Sequence, residues 1–181
     1  MNMIHLITGG SGSGKSRYAE QQIEELGDGP RIYLATMASK DEESRKRIKK
    51  HQDRRRGMNF TTIEKPTKLM EVEVPEGSSV LLECVSNLLA NEMFMPGQSG
   101  IHSVNAVIDG IEHIDRQCAN LVIVTNEVFS DGVQYGNTTH IYMEFLGLIN
   151  QHLGRMSDLV TEVVYGIPIP VKRPGHPELS L

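Results

Sequence analysis

The sequence predicts an α/β fold built on a mainly parallel central sheet, and three observations carry that expectation. Short apolar runs of strand length recur at 4–8, 31–37, 60–64, 80–85, 121–125 and 159–165, most of them separated by helical patterns. The first run leads at once into a glycine-rich turn followed by a helical stretch. Between 101 and 118, Ile101, Val104, Ile108 and Ile111 recur at helical spacing, as do Val107, Ile111, Ile114 and Cys118, which predicts a helix packing one broad face on the sheet.

Taken in order, the first strand ends in Gly9-Gly10-Ser11-Gly12-Ser13-Gly14-Lys15-Ser16, a complete P-loop in its proper setting. Glycines let backbone N–H groups turn inward around phosphate oxygens, and the helix that follows presents its positive end. Lys15 adds a point charge and Ser16 offers a hydroxyl to Mg²⁺, so every part opposes the charge of a polyphosphate. The expectation is a nucleoside triphosphate site on a P-loop NTPase-type three-layer fold. Asp28-Gly29-Pro30 closes the first helix and Pro75-Glu76-Gly77 precedes the fourth strand.

The chain has 181 residues, 39% hydrophobic and 23% charged, enough for one domain with a real core and too short for two ordinary ones. One catalytic domain is expected over 1–173, with a loosely held tail over 174–181 that carries two prolines and little apolar content. With the strand pattern beginning at Ile4, no signal peptide is expected, and no apolar run approaches membrane-spanning length. A cytoplasmic protein is expected. Cys84 and Cys118 lie in apolar stretches without metal-ligand spacing and read as buried thiols.

A net charge of −5 conceals an uneven distribution, because eight of the 18 Lys and Arg residues fall within 45–56. An acidic start, Asp41-Glu42-Glu43, suits the N-terminus of a helix running through that segment. An acidic protein without interleaved aromatics makes a poor general nucleic-acid binder, so the basic helix is expected to serve the bound triphosphate instead. Like charges and few apolar anchors beyond Ile48 imply that the helix moves when the site is empty.

Ligands bind outside the carboxyl ends of parallel strands, which draws attention to two more strand ends. Leu81-Leu82-Glu83-Cys84 compares with an apolar strand ending in an acid that reaches Mg²⁺, directly or through water. Thr125-Asn126-Glu127-Val128 ends a second strand with a polar pair at the same edge.

Together these residues resemble the adenosylcobinamide kinase/adenosylcobinamide-phosphate guanylyltransferases, bifunctional enzymes of cobalamin nucleotide-loop assembly. The resemblance runs from about Ile4 to Lys172. It rests on Thr8-Gly9-Gly10 and the P-loop, Tyr33-Leu34-Ala35-Thr36, Arg47-Ile48-Lys49-Lys50-His51 with Arg55 beyond, Leu81-Leu82-Glu83-Cys84, Thr125-Asn126-Glu127-Val128 and Asn150-Gln151. It implies phosphorylation of adenosylcobinamide with ATP or GTP. Transfer of GMP from GTP to adenosylcobinamide phosphate then follows.

In that family the histidine matching His51 attacks the α-phosphate of GTP and releases pyrophosphate, which makes His51 and Lys15 the expected catalytic residues. Surrounding Lys and Arg side chains disfavour the protonated imidazole and stabilise charge on the α-phosphate and pyrophosphate. The resemblance also implies nucleotide contacts from Ala35, Thr36, Met37, Gln52, Asp53, Arg54, Arg55, Glu64 and Glu83, Mg²⁺ held by Ser16 and Glu83, and a homotrimer. Met37 stands where relatives often carry serine, so a contact there has to come from the backbone. After Val128 the chain reads Phe129-Ser130-Asp131-Gly132 where many relatives have a Gly-x-Gly-x-Val-Pro turn, so the nucleotide half matches better than the acceptor half. Two rival readings are another small-molecule kinase with a basic lid and a regulatory nucleotide-dependent binding module. The latter lacks an Asn-Lys-x-Asp motif and an Asp-x-x-Gly switch after the second strand.

Overall fold

The computed structural model describes residues 3–38, 42–127 and 136–175, with all side chains there except those of Ser44, Arg47 and Arg54. The elements are β1 (Met3–Thr8), α1 (Lys15–Glu25), β2 (Arg31–Ala35), α2 (Glu42–Arg54), β3 (Phe60–Glu64), β4 (Ser79–Leu82), α3 (Val85–Phe94), α4 (Ser103–Asp115), β5 (Asn120–Val124), α5 (Asn137–Met156), β6 (Leu159–Val164) and β7 (Ile167–Lys172). The strands form one sheet in the order β3-β2-β4-β5-β1-β6-β7. Every neighbouring pair is parallel except β6 and β7.

Alternation along the strands builds the three layers. Ile32, Leu34, Val80, Leu82, Leu121 and Ile123 point to a core shared with α3, α4 and α5, through residues such as Leu89, Ile111 and Ile149. Their neighbours Tyr33, Leu81, Val122 and Val124 point to the other face, where Ala19 and Ile23 of α1 cover them. Central strands buried on both faces have to read as continuous apolar runs, which is why they are visible in the sequence. β1 lies between β5 and β6, with Ile7 opposite both Val124 and Thr161. The P-loop therefore leaves the sheet from an interior strand, at the carboxyl edge.

Three details differ from the sequence expectation. β7 is an additional strand, whose Pro168 and Pro170 argue against a strand in sequence but are tolerated on an edge that needs no further ladder bonds. A tight turn with positive φ at both Tyr165 (52°) and Gly166 (79°) joins it to β6. Ile101 is not part of the α4 face. It sits in the 3-10 turn Gly100–His102 ahead of the helix and is 81% exposed, whereas Val107, Ile111 and Ile114 are buried as expected. Cys118 is buried and its thiol is pushed up to about 12 by desolvation, but Cys84 is only half-buried because it stands at the open edge of the sheet. Of the expected tail, residues 176–181 lie outside the described residues.

Candidate active site

The P-loop wraps the end of β1. Gly9 has φ +150°, and a Cβ there would lie 2.5 Å from the Val163 carbonyl and 2.7 Å from Ser13 Oγ, so no larger residue fits. Gly14 has φ +94° and caps α1 in the left-handed region, releasing the N–H groups of the first turn toward the loop. The β6–β7 turn braces this loop, since Gly166 N donates to Ser13 O at 2.8 Å. Lys15 folds back over the loop and donates from Nζ to the Gly10 carbonyl at 2.9 Å. Burial, ahead of any charge effect, holds its ammonium below the usual lysine range. Ser13 Oγ is buried without a hydrogen-bond partner among the described residues. A glycine-rich loop at a helix N-terminus, with one buried ammonium and an unpaired hydroxyl, fits an incoming phosphate.

A second recess of about 720 Å³ lies at the carboxyl ends of β2 and β3, beside α2. It brings together Ala35, Met37, His51, Gln52, Asp53, Arg55, Glu64 and Glu83 from separate stretches of sequence. The parallel register places Glu64 directly opposite Ala35. His51 is half-buried on α2, while Arg45, Lys49 and Arg56 add positive charge to the same walls. The P-loop residues line a neighbouring part of the same sheet edge rather than this recess. The expected contact Arg54 has no described side chain, and the segment from Val128 to Tyr135 lies outside the described residues.

Thr36 is not on the wall. It is fully buried beneath the loop, donates from Oγ1 to the Cys84 carbonyl at 2.9 Å and accepts at its own carbonyl from Asn91 Nδ2 at 2.9 Å. Glu83 completes this support: Oε2 accepts the backbone N–H of Thr36 at 2.9 Å and of Met37 at 3.0 Å, and Oε1 accepts the Tyr33 hydroxyl at 2.9 Å. Three donors therefore hold the carboxylate expected to reach Mg²⁺, two of them on Oε2 and one on Oε1. Ser16, half-buried at the start of α1, fits an ion that takes most of its ligands from phosphate and water. No cluster of three or more His, Cys, Asp or Glu side chains able to hold a metal occurs among the described residues.

Asn126, at the end of β5, donates from Nδ2 to Ser86 Oγ at 2.5 Å, and the Tyr142 hydroxyl donates to the Ser86 carbonyl at 3.1 Å. Burial, with Cys84 nearby, pushes that phenol up to about 12. The carboxyl ends of β4 and β5 thus carry a second polar cluster, as the two strand-end motifs imply.

Tyr33 and Glu20 lie beside the recess and are not assigned by sequence reasoning. Tyr33 belongs to a quoted motif, and a phenol in an otherwise apolar central strand requires a polar partner, which was the available signal. Glu20 shows no such mark in one dimension. It reads as an ordinary acid on an amphipathic helix, yet it is 2% exposed.

Some known proteins resemble this chain in sequence and others in fold. The bifunctional adenosylcobalamin biosynthesis protein CobU of Escherichia coli (strain K12) is 32% identical, over 94% of this chain and 100% of that protein. CobP of Pseudomonas aeruginosa, also named a bifunctional adenosylcobalamin biosynthesis protein, is 29% identical over 97% and 99%. Among solved structures, an ATPase domain superposes with a TM-score of 0.57 at 12% identity, covering 97% of this chain and 78% of that one, which shows a shared P-loop ATPase fold. A DnaB-like replicative helicase superposes with a TM-score of 0.51 at 10% identity, covering 88% of this chain and 46% of that one. The family model described as cobinamide kinase / cobinamide phosphate guanyltransferase matches residues 5–171, nearly the whole chain, and the protein belongs to that family.

Proposed function

We propose that this chain carries out both reactions of its family on one sheet edge. In the first, the hydroxyl of the aminopropanol arm of adenosylcobinamide attacks the γ-phosphorus of ATP or GTP held by the P-loop. A bond from the hydroxyl oxygen to phosphorus forms, the bond to the nucleoside diphosphate breaks, and the hydroxyl proton is lost. Lys15 and the loop amides stabilise the charge that moves onto the departing diphosphate. Ser16 would hold a Mg²⁺ ion, which would supply further charge neutralisation there.

In the second reaction, neutral His51 attacks the α-phosphorus of GTP. An N–P bond forms, pyrophosphate leaves with the electrons of the broken P–O bond, and the imidazolium loses its proton to leave a guanylyl-histidine. The phosphate of adenosylcobinamide phosphate then displaces His51, giving adenosylcobinamide-GDP. Glu83 serves the Ala35–Met37 loop that lines the nucleotide recess, and Glu64 lies beside it. A homotrimer, as the resemblance implies, is part of the same reading and is checked by sedimentation equilibrium.

The observation that carries this reading is the recess that gathers His51, Glu64, Glu83 and the end of β2 beside a complete P-loop. A kinase alone has no need of a histidine in a basic, nucleotide-sized recess. The test is incubation with GTP labelled at the α-phosphate. An acid-labile, base-stable protein adduct, absent from His51→Asn while phosphoryl transfer to adenosylcobinamide persists, is the expected result. A folded wild-type protein that phosphorylates adenosylcobinamide and forms no adduct would instead be a kinase with a basic lid.

A further inference from the structure

The structure assigns a positioning role for the guanylyl-transfer step to Tyr33 and Glu20, which hold Arg55 as the buried anchor of the His51 helix. The inference rests on the guanylyl-transfer reading above and adds residues that the nucleotide recess alone does not name. Arg55 is the first residue beyond α2, and its backbone N–H donates to the His51 carbonyl at 3.2 Å. Its side chain turns inward, where the guanidinium lies 3.4 Å from the centroid of the Tyr33 ring and is 7% exposed. Nη1 lies 3.9 Å from Glu20 Oε1 in α1. Nη1 is fully buried and makes no hydrogen bond among the described residues.

Among the described side chains of α2, Glu42, Glu43, Arg45, Lys46, Lys49, Lys50, Gln52 and Asp53 are exposed, while Ile48 and His51 are half-buried. The helix is therefore fastened at its last turn, one turn from His51, by a planar cation between β2 and the P-loop helix. An ion so deeply buried is costly unless it is paired, and the Tyr33 ring and the Glu20 carboxylate supply what water no longer does. Both ends of this anchor reach the nucleotide machinery. Glu20 follows Lys15 by five residues on α1, and the Tyr33 hydroxyl donates to the same Glu83 that holds the Ala35–Met37 loop. Attack requires His51 within about 3–3.5 Å of phosphorus, and a misplacement of an ångström can cost a hundredfold in rate. Arg55, Tyr33 and Glu20 therefore fix where His51 stands relative to a triphosphate seated on α1.

A positioning role predicts a loss in the rate constant rather than in affinity. Single-turnover adduct formation from α-labelled GTP, measured across GTP concentrations, should slow at least tenfold at saturation in Tyr33→Leu, Glu20→Gln and Arg55→Lys, with half-saturation changed less than threefold in Glu20→Gln. Phosphoryl transfer to adenosylcobinamide should fall less than threefold in the same Glu20→Gln protein. Tyr33→Phe, which keeps the ring, should recover most of what Tyr33→Leu loses. Glu20→Gln and Arg55→Lys change charge or shape with little change in volume, so they stand in if Tyr33→Leu unfolds. Wild-type rates at saturation in folded Glu20→Gln and Arg55→Lys overturn the inference while leaving the guanylyl-transfer reading intact. An equal fall in both half-reactions also overturns it, because that marks general damage to α1. A wild-type protein that forms no adduct removes the reading itself, and the anchor with it.

Discussion

Glu83 accepts the backbone N–H of Thr36 at 2.9 Å, a bond between the end of one buried strand and the loop that leaves its neighbour. The same oxygen accepts Met37 N, so a single carboxylate sets the path of the loop lining the nucleotide recess. In Glu83→Gln the amide keeps one acceptor oxygen and turns an NH₂ toward a donor it cannot satisfy. One buried donor left unpaired costs about 1–3 kcal/mol. We expect GTP affinity to fall about tenfold while the Mg²⁺ concentration giving half-maximal turnover stays at the wild-type value. A large rise in the Mg²⁺ requirement would return Glu83 to the metal.

Lys15 lies over the cradle with its Nζ on the Gly10 carbonyl, the position a phosphate oxygen would compete for. Lys15→Ala removes a charge-assisted contact worth about 1.5–3 kcal/mol, so ATP and GTP should each bind at least tenfold more weakly. Calorimetric titration measures this directly. Equal affinity in the folded variant would sink the P-loop assignment.

Much of this architecture is legible in one dimension because its physics is local. The P-loop is a run of eight residues whose glycines answer to φ angles and close approach, and Gly9 and Gly14 show both. β4 and β5 are apolar almost throughout because they are covered on two faces, which no polar loop imitates. Ile101 misled because helical spacing does not mark where a helix begins, and β7 was hidden by prolines that only an edge position excuses. The family motifs contain His51 and Glu83 and also Tyr33, Thr36 and Arg55, but they do not say which of these residues meet, and they leave out Glu20. Glu20 and Arg55 are 35 positions apart, and their proximity follows only from the crossing of α1 and the end of α2 over β2.

Fastening at one end gives α2 a testable asymmetry. Its described side chains up to Lys50 are exposed apart from Ile48, whereas Arg55 is buried. Hydrogen exchange in the nucleotide-free protein should be slower at 52–56 than at 45–49, because opening the last turn requires lifting a buried cation. Mg²⁺·GTP should then protect 45–51 strongly by neutralising the clustered positive charge. Protection should survive release of pyrophosphate when GMP stays on His51. Uniform, high protection of the whole segment without nucleotide would mean a preformed site.

The last prediction concerns pH and lies beneath the P-loop rather than in it. His5 of β1 is 2% exposed, its Nε2 lies 2.9 Å from Thr161 Oγ1, and its ring meets the edge of Tyr18 with centroids 6.1 Å apart. Nδ1 has no hydrogen-bond partner among the described residues. Desolvation lowers the pKa of His5 to about 4, against 6.5 for an ordinary histidine. Between those values the unfolded chain binds a proton that the native protein refuses, so stability is full above pH 6.5 and falls as pH drops toward 4. At about pH 5 the loss relative to about pH 7 amounts to about 2 kcal/mol from this one group. His5→Gln cannot titrate and should lose about 2 kcal/mol less than wild type over that interval in urea unfolding, whatever its stability at neutral pH. Equal losses in the two proteins would mean that His5 accepts its proton in the folded state and that its burial is relieved by local opening.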